Sequence, residues 1–283
     1  MSSGIKNYLT VDVEDYFQVA AFDTIVHIED WDRYLPRVVN NTKIILDLFA
    51  ARSIKATFFV LGWVAEKFPE LIREIDGQGH EIGCHSFYHR LVYSLTPDEF
   101  REDTVRAKNA LEDIIGKKVK GYRAPSYSIT SRSLWAFDIL EELGFEYDSS
   151  IFPIVHDRYG IPDAPRFRYR LPGHNLIEYP ISTALFLKKK IPVAGGGYFR
   201  IFPYWFTALA LNKINSCDRE PFIFYFHPWE IDPEQPRMKN ASAVSRFRHY
   251  KNLDQTMTRL EKLLRDFDFI PLQATSLSPL SSK

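Results

Sequence analysis

Across residues 8–272 the chain alternates short apolar runs with stretches whose apolar residues recur at helical spacing, and this alternation limits the fold more than any other feature. Strands separated by helices pair in parallel through crossovers, because a strand cannot return beside its predecessor in the same direction without one. Strand patterns fall at 8–13, 56–61, 80–84, 121–123, 145–148, 222–226 and 269–272. Helical patterns stand between them. Ile45, Leu48 and Phe49 mark the first, and a second, interrupted at Pro69, runs to Gly77. Thr96, Pro97 and Glu99 form a capping signal for a helix reaching Gly116. Further helices are expected over 131–143, ended by Gly144, over 206–214, and where Leu260, Leu263, Leu264 and Phe267 share a face. Between 152 and 203 the rhythm breaks into Pro, Gly and Arg, with Gly195, Gly196 and Gly197 in succession. An irregular excursion with short antiparallel strands is expected there.

At 283 residues the chain suits a single domain, 1–283, with its core over about 8–272, since parallel α/β units of this size are common. The 22 Phe, 15 Tyr and 5 Trp supply a large core. Lys plus Arg equals Asp plus Glu, 36 each, so no overall field draws the chain to nucleic acid or anionic lipid. A neutral or locally polar substrate is expected instead. Cys84 and Cys217 lie in different apolar segments and suggest buried thiols rather than a disulfide framework. With neither a signal-like nor a membrane-spanning apolar run, a cytoplasmic location is expected. The Ser-rich tail after Thr275 is expected to fray.

Asp12, His85, Arg123, Asp148 and His227 each fall at or just past the C-terminal end of an expected strand, where parallel α/β enzymes assemble their sites. His85 and His89 can meet one cation, either on a helical turn or on a tight turn after a strand. Asp12 and Glu14 alternate along the first strand and so point to one side, with Asp15 at the turn. Acids so crowded repel unless a cation joins them. A division of labour follows, in which one carboxylate binds the ion and another takes a proton from water. Arg123, lying between Tyr122 and an Ala-Pro step, suits a carboxylate partner. His227 precedes Pro228, an abrupt exit from its strand. Tyr198, Arg200, Trp229 and Glu230 could line a sugar groove or merely pack the excursion.

These segments resemble, in order, the motifs of the NodB-type polysaccharide deacetylases, carbohydrate esterase family 4. Leu9 to Asp15 corresponds to the family's Thr-Phe-Asp-Asp segment, His85 to His89 to its His-Ser/Thr-x-x-His pair, and Arg123 to Tyr127 to Arg-x-Pro-Tyr. Asp148-Ser149-Ser150 resembles the aspartate motif, and Tyr225-Phe226-His227 stands where the family has Leu-x-His. The sequence around Asp12, the Gly195 to Arg200 stretch and Phe226 to Glu230 are similar to a branch associated with exopolysaccharide and exosortase gene clusters. Two departures stand out. Asp-x-Glu-Asp replaces adjacent aspartates, so the metal carboxylate is Glu14 or Asp15, and Ser126 is inserted before Tyr127.

The resemblance implies an α/β fold, a distorted (β/α)7 barrel with an irregular insertion. It also implies a divalent ion, Zn²⁺ first with Co²⁺, Ni²⁺ or Fe²⁺ also compatible, held by His85, His89 and Glu14 or Asp15. Asp12 would be the base, held by Arg123, and His227 the acid, oriented by Asp148 by analogy with the family. Pro125 and a backbone amide at Ser126 or Tyr127 would face the substrate, with Trp229 and Arg200 beside it. The implied reaction is removal of N-acetyl groups from an amino-sugar oligo- or polysaccharide or its lipid-linked precursor. Hydrolysis of another small-molecule amide, or carbohydrate binding without catalysis, are the rival expectations.

Overall fold

The computed structural model describes residues 4–272; the tail after Thr275 lies outside them. In chain order the strands are β1 (Lys6–Val13), β2 (Thr57–Val60), β3 (Glu81–Cys84), β4 (Gly121–Tyr122), β5 (Tyr147–Asp148), β6 (Tyr169–Arg170), β7 (Ile177–Glu178), β8 (Thr183–Phe186), β9 (Lys189–Pro192), β10 (Ile223–Phe226) and β11 (Asp268–Ile270). The helices are α1 (Val38–Ala50), α2 (Gly62–Lys67), α3 (Pro69–Gly77), α4 (Pro97–Ile115), α5 (Ala136–Glu142), α6 (Gly196–Ile201), α7 (Tyr204–Lys213), α8 (Ala243–Tyr250) and α9 (Leu253–Asp266).

Seven strands run parallel in the order β10-β1-β2-β3-β4-β5-β7, with β6 antiparallel at one edge and β11 parallel to the start of β1. The expected parallel architecture is present as a curled sheet whose pairings form an open path: six of the seven expected strands lie on it, the seventh, β11, pairs beside the start of β1, and β7 of the excursion adds an eighth parallel strand. Its register aligns Asp12 with Phe59 and Phe59 with Gly83, which brings the C-terminal ends of the strands to one rim.

The sheet is buried on both faces, as parallel sheets are. Leu9, Val11 and Val13 of β1 join Ile45, Leu46 and Phe49 of α1 in the main core under the helices. An aromatic cluster including Tyr8, Phe59, Tyr147 and Tyr225 packs separately. The α4 start follows its sequence signal: the Glu99 amide donates to Thr96 Oγ1 at 3.3 Å, and the Thr96 amide donates to Glu99 Oε2 at 2.8 Å. Gly116 closes the helix in the left-handed conformation.

The excursion departs from expectation in one respect. Its β8–β9 hairpin is antiparallel, but Ile177–Glu178 joins the main sheet parallel to Tyr147–Asp148. Two-residue strands carry no readable periodicity, and tertiary contacts place this one: Glu178 Oε1 accepts from the Ile151 amide at 3.0 Å, and the Tyr179 amide donates to the Asp148 carbonyl at 2.8 Å. Helix α8 is likewise invisible to periodicity, because its Val244 and Phe247 are exposed. Among the described residues no helix is long and apolar enough to cross a membrane.

Gly195 shows why the triple glycine exists. It bridges to Tyr225 of β10 with φ +131°, and a Cβ there would lie 1.9 Å from the Tyr225 carbonyl oxygen. Gly195→Ala should lose roughly 2 kcal/mol or more in urea unfolding, through backbone strain and overpacking. Gly197→Ala, whose Cβ would meet nothing nearer than Arg200 Nη2 at 3.9 Å, should leave the midpoint nearly unchanged.

Candidate active site

The ends of β1, β3, β4 and β10 converge on a cavity of about 420 Å³, walled by Asp12, Glu14, His85, His89, Tyr127 and His227 among others. Alternation along β1 sends Thr10, Asp12 and Glu14 to the same side. Arg123, fully buried just past β4, donates from Nη1 to Asp12 Oδ1 at 2.6 Å and to Thr10 Oγ1 at 2.7 Å. Its other donors reach the Ser149 carbonyl at 3.2 Å and Ser149 Oγ at 2.8 Å, and its guanidinium lies 4.2 Å over the Phe59 ring. This geometry holds the Asp12 carboxylate in a single orientation.

His85 and His89 meet through a tight turn rather than a helix. Ser86 and His89 take left-handed conformations, and the buried Asp103 of α4 accepts the Phe87 amide at 2.6 Å, which fixes the turn. His85 Nδ1 lies 2.7 Å from the Arg123 carbonyl. A carbonyl only accepts, so Nδ1 carries the proton and Nε2 keeps its lone pair. Glu14 Oε1 accepts from Trp229 Nε1 at 3.1 Å, and Oε2 lies 2.7 Å from His89 Nε2. One ligand atom from each of Glu14, His85 and His89 falls within 4.8 Å of the others, all buried. Two imidazoles and one carboxylate, with room left for water, fit a borderline divalent cation.

Burial alone would raise the Glu14 carboxyl, but the imidazoles of His89, His227 and His85 reverse that and hold it well below the usual carboxylate range. His85 moves the other way, its charged form disfavoured by burial, to about 4. Burial opposes the charged form of His89 too, but the Glu14 carboxylate at 2.7 Å outweighs it and pulls this imidazole up instead. A cation entering here would displace the His89 proton and take its place beside the Glu14 anion.

Asp15 does not join this cluster. Its oxygens accept from the Tyr16 amide at 2.9 Å, the Arg37 amide at 2.7 Å and the Val38 amide at 2.9 Å, so it caps the start of α1. Of the two acids proposed from sequence as the metal carboxylate, Glu14 is the one beside the imidazoles. Asp148 also departs from expectation. It accepts from Ser150 Oγ at 2.7 Å and the Ser150 amide at 2.8 Å and shares a buried contact with Glu178. Glu230, three residues on, takes the partner role: its Oε1 lies 2.6 Å from His227 Nδ1. The turn begun by Pro228 brings it there.

Arg200 and Trp229 line the cavity but are almost wholly buried, and their polar groups are spent within the protein. Arg200 Nε binds Glu230 Oε2 at 2.5 Å, and its terminal nitrogens bind the carbonyls of Arg248, His249 and Lys251. The Trp229 ring is stacked between His227 at 5.2 Å and His249 at 4.1 Å. Both residues position the acids rather than offering open faces. Pro125 is buried at the start of its turn, while Ser126 and Tyr127 form the wall. The Tyr127 amide donates to the Ala124 carbonyl at 3.1 Å, so of the two candidate amides the Ser126 one is the better placed to serve a substrate. Tyr93, Tyr159 and Tyr198 supply aromatic wall that sequence reasoning singled out only at Tyr198. Asp103 and Tyr159 carried no local signal, because only tertiary folding brings them to the site, and Ser149, though part of the aspartate motif, gave no sign that it would hold Arg123.

Residues 22–147 match the polysaccharide deacetylase family, and residues 149–276 match a domain of unknown function, DUF3473. The likeness to the polysaccharide deacetylase family thus covers residues 22–147, just under half of the chain. Over 144 residues it is 28% identical to a peptidoglycan-N-acetylglucosamine deacetylase of Bacillus cereus, a match covering 47% of this chain and 52% of the relative. The chain thus spans about half the length of that curated relative. A crystal structure of a candidate polysaccharide deacetylase from Mycobacterium smegmatis matches with TM-score 0.56 and 20% identity, covering 100% of this chain and 96% of that one. Another from Pseudomonas aeruginosa matches with TM-score 0.59 and 14% identity, covering 95% and 88%. These two share the fold.

Metal content separates the two acids. Glu14→Gln should bind less than about a tenth of the zinc held by the parent protein after dialysis, measured by plasma mass spectrometry. Asp15→Asn should retain the metal and lose about 1 kcal/mol of stability through the weakened cap.

Proposed function

We propose that this protein is a metal-dependent hydrolase that removes N-acetyl groups from an amino-sugar polysaccharide or its lipid-linked precursor, acting in exopolysaccharide biosynthesis. The observation that carries this reading is the shared cavity: the Glu14, His85 and His89 cluster, the Arg123-bound Asp12 and the Glu230-bound His227 face one space. The family match supports it independently.

A divalent ion held by Glu14, His85 and His89 would act as a Lewis acid on the acetamide carbonyl and would acidify a water. Asp12 accepts the water proton at Oδ2, the oxygen Arg123 leaves free. The water oxygen attacks the carbonyl carbon, and the Ser126 amide donates to the developing oxyanion. The carbon–nitrogen bond then breaks, acetate departs, and His227 Nε2 gives its proton to the leaving amine. His227 Nε2 lies 4.0 Å from Asp12 Oδ2 and 3.6 Å from Glu14 Oε1, a spacing that leaves the acid beside the reacting centre. Burial opposes the imidazolium, but Glu14, Glu230 and Asp12 together outweigh it and lift His227 to about 9. Glu230, held against Nδ1 at 2.6 Å and remote from the proposed cation ligands, is the anion that favours the charged acid when a cation takes up Glu14.

The test is acetate release from chitooligosaccharides by the zinc-loaded protein, abolished by chelation and restored by metal. Metal binding without acetate release would favour a different amide substrate, and neither would favour a carbohydrate binder. Asp12→Asn should keep its metal and lose at least about a hundredfold in kcat. Loss of metal instead would move Asp12 into the coordination shell. Glu230→Gln removes an anion that favours protonated His227, so the alkaline limb of the kcat profile should move to lower pH; an unmoved limb contradicts the acid assignment.

A further inference from the structure

Between Glu178 and Asp218 the chain contains no acidic residue, yet it carries Lys188, Lys189, Lys190, Arg200 and Lys213. This stretch folds into the β8–β9 hairpin, α6 and α7, and it places large apolar side chains outward. Leu187 is 98% exposed at the hairpin tip and Trp205 is 68% exposed on α7, with Leu209 one helical turn further on and Ile201 before it. An aromatic chain joins hairpin to helix: Phe186 stacks on Phe206 at 5.7 Å, and Phe206 meets Trp205 at 5.9 Å.

The hairpin tip is unusual in its backbone. Leu187 and Lys188 both have positive φ, 47° and 65°, in a two-residue turn that ordinarily selects Asn and Gly. A branched residue held in this strained conformation while packing on nothing gains no stability from the fold itself. Asp218 pairs with Arg166 and Asp266 with Arg265, and Asp163 acts on Lys190, so among the described residues no ion pair reaches Lys188 or Lys189 at the tip.

From these observations we infer that the hairpin tip and the outward side of α6 and α7 form a docking surface for an anionic lipid bilayer. Trp and Leu enter the interfacial layer and lysines lie at headgroup level, the arrangement of a monotopic membrane surface. A second copy of the chain fits less well, because a two-fold contact would set these cations against one another with no acid between them. Ile201 belongs both to this surface and to the cavity wall, so docking brings the cavity mouth to the bilayer. The inference goes beyond the proposed deacetylation and is tested without any glycan, so either can fail alone.

Trp205 is the most exposed of the five tryptophans; Trp31 and Trp229 are buried and Trp63 and Trp135 half-buried. Its emission should shift to shorter wavelength, and the full chain should co-sediment, with vesicles of phosphatidylcholine plus phosphatidylglycerol. Vesicles of phosphatidylcholine alone should produce neither effect. The Trp205→Phe variant should lose the shift, and Lys188→Glu/Lys189→Glu should weaken binding at least about tenfold, with unchanged circular dichroism. Absence of binding, equal binding to both vesicles, or a vesicle-free dimer in sedimentation that Trp205→Asp abolishes would overturn the proposal.

Discussion

The buried pair between Asp12 and Arg123 is the constraint from which the rest of the site follows. With both side chains removed from water, either charge without the other would cost about 3–5 kcal/mol. Arg123 meets that requirement while bonding Thr10 on β1 and Ser149 just past β5, so one side chain ties together strand ends far apart in sequence. Its backbone does a second job. The Arg123 carbonyl accepts the His85 proton and turns the bare nitrogen of that imidazole away from it. A single residue thus orients the proposed base through its side chain and a proposed metal ligand, His85, through its main chain.

A second set of contacts governs the acid side of the cavity in the same way. Arg200 on α6 anchors Glu230, Glu230 holds His227, and the Trp229 indole lies between His227 and His249 while donating to Glu14. These contacts couple the excursion to the sheet. The residues matched by the domain of unknown function include His227 and its supports Arg200, Trp229 and Glu230, whereas Asp12, His85 and His89 lie outside that match. The site therefore draws His85, His89 and Arg123 from one matched portion and His227 from the other, while Asp12 and Glu14 precede both.

Much of this was legible before folding. Asp12, Glu14, His85, Arg123 and His227 announce themselves because a parallel sheet sends its strand ends to one rim, and strand ends can be read from apolar runs. Side-chain direction beyond a strand cannot be read so. Asp15 follows Glu14 immediately, but the chain bends there and the carboxylate meets the amides at the start of α1. Asp148 fits the expected aspartate motif, yet its oxygens are satisfied by the adjacent Ser150, and a residue reached through the Pro228 turn pairs with His227 instead. Charge illustrates the same distinction. Equal totals of acids and bases gave no hint of attraction to anionic lipid, although the acid-free stretch through α7 was present in the text and became meaningful only as one outward face.

The central claim is that one cation sits among Glu14, His85 and His89 while Asp12 stays uncoordinated. Anomalous diffraction from crystals grown with zinc, collected on both sides of the absorption edge, addresses it directly. A single peak within bonding distance of those three side chains, with Arg123 still holding Asp12, is the predicted result. A peak bonded to Asp12, or one beside Asp15 away from the imidazoles, would contradict the account.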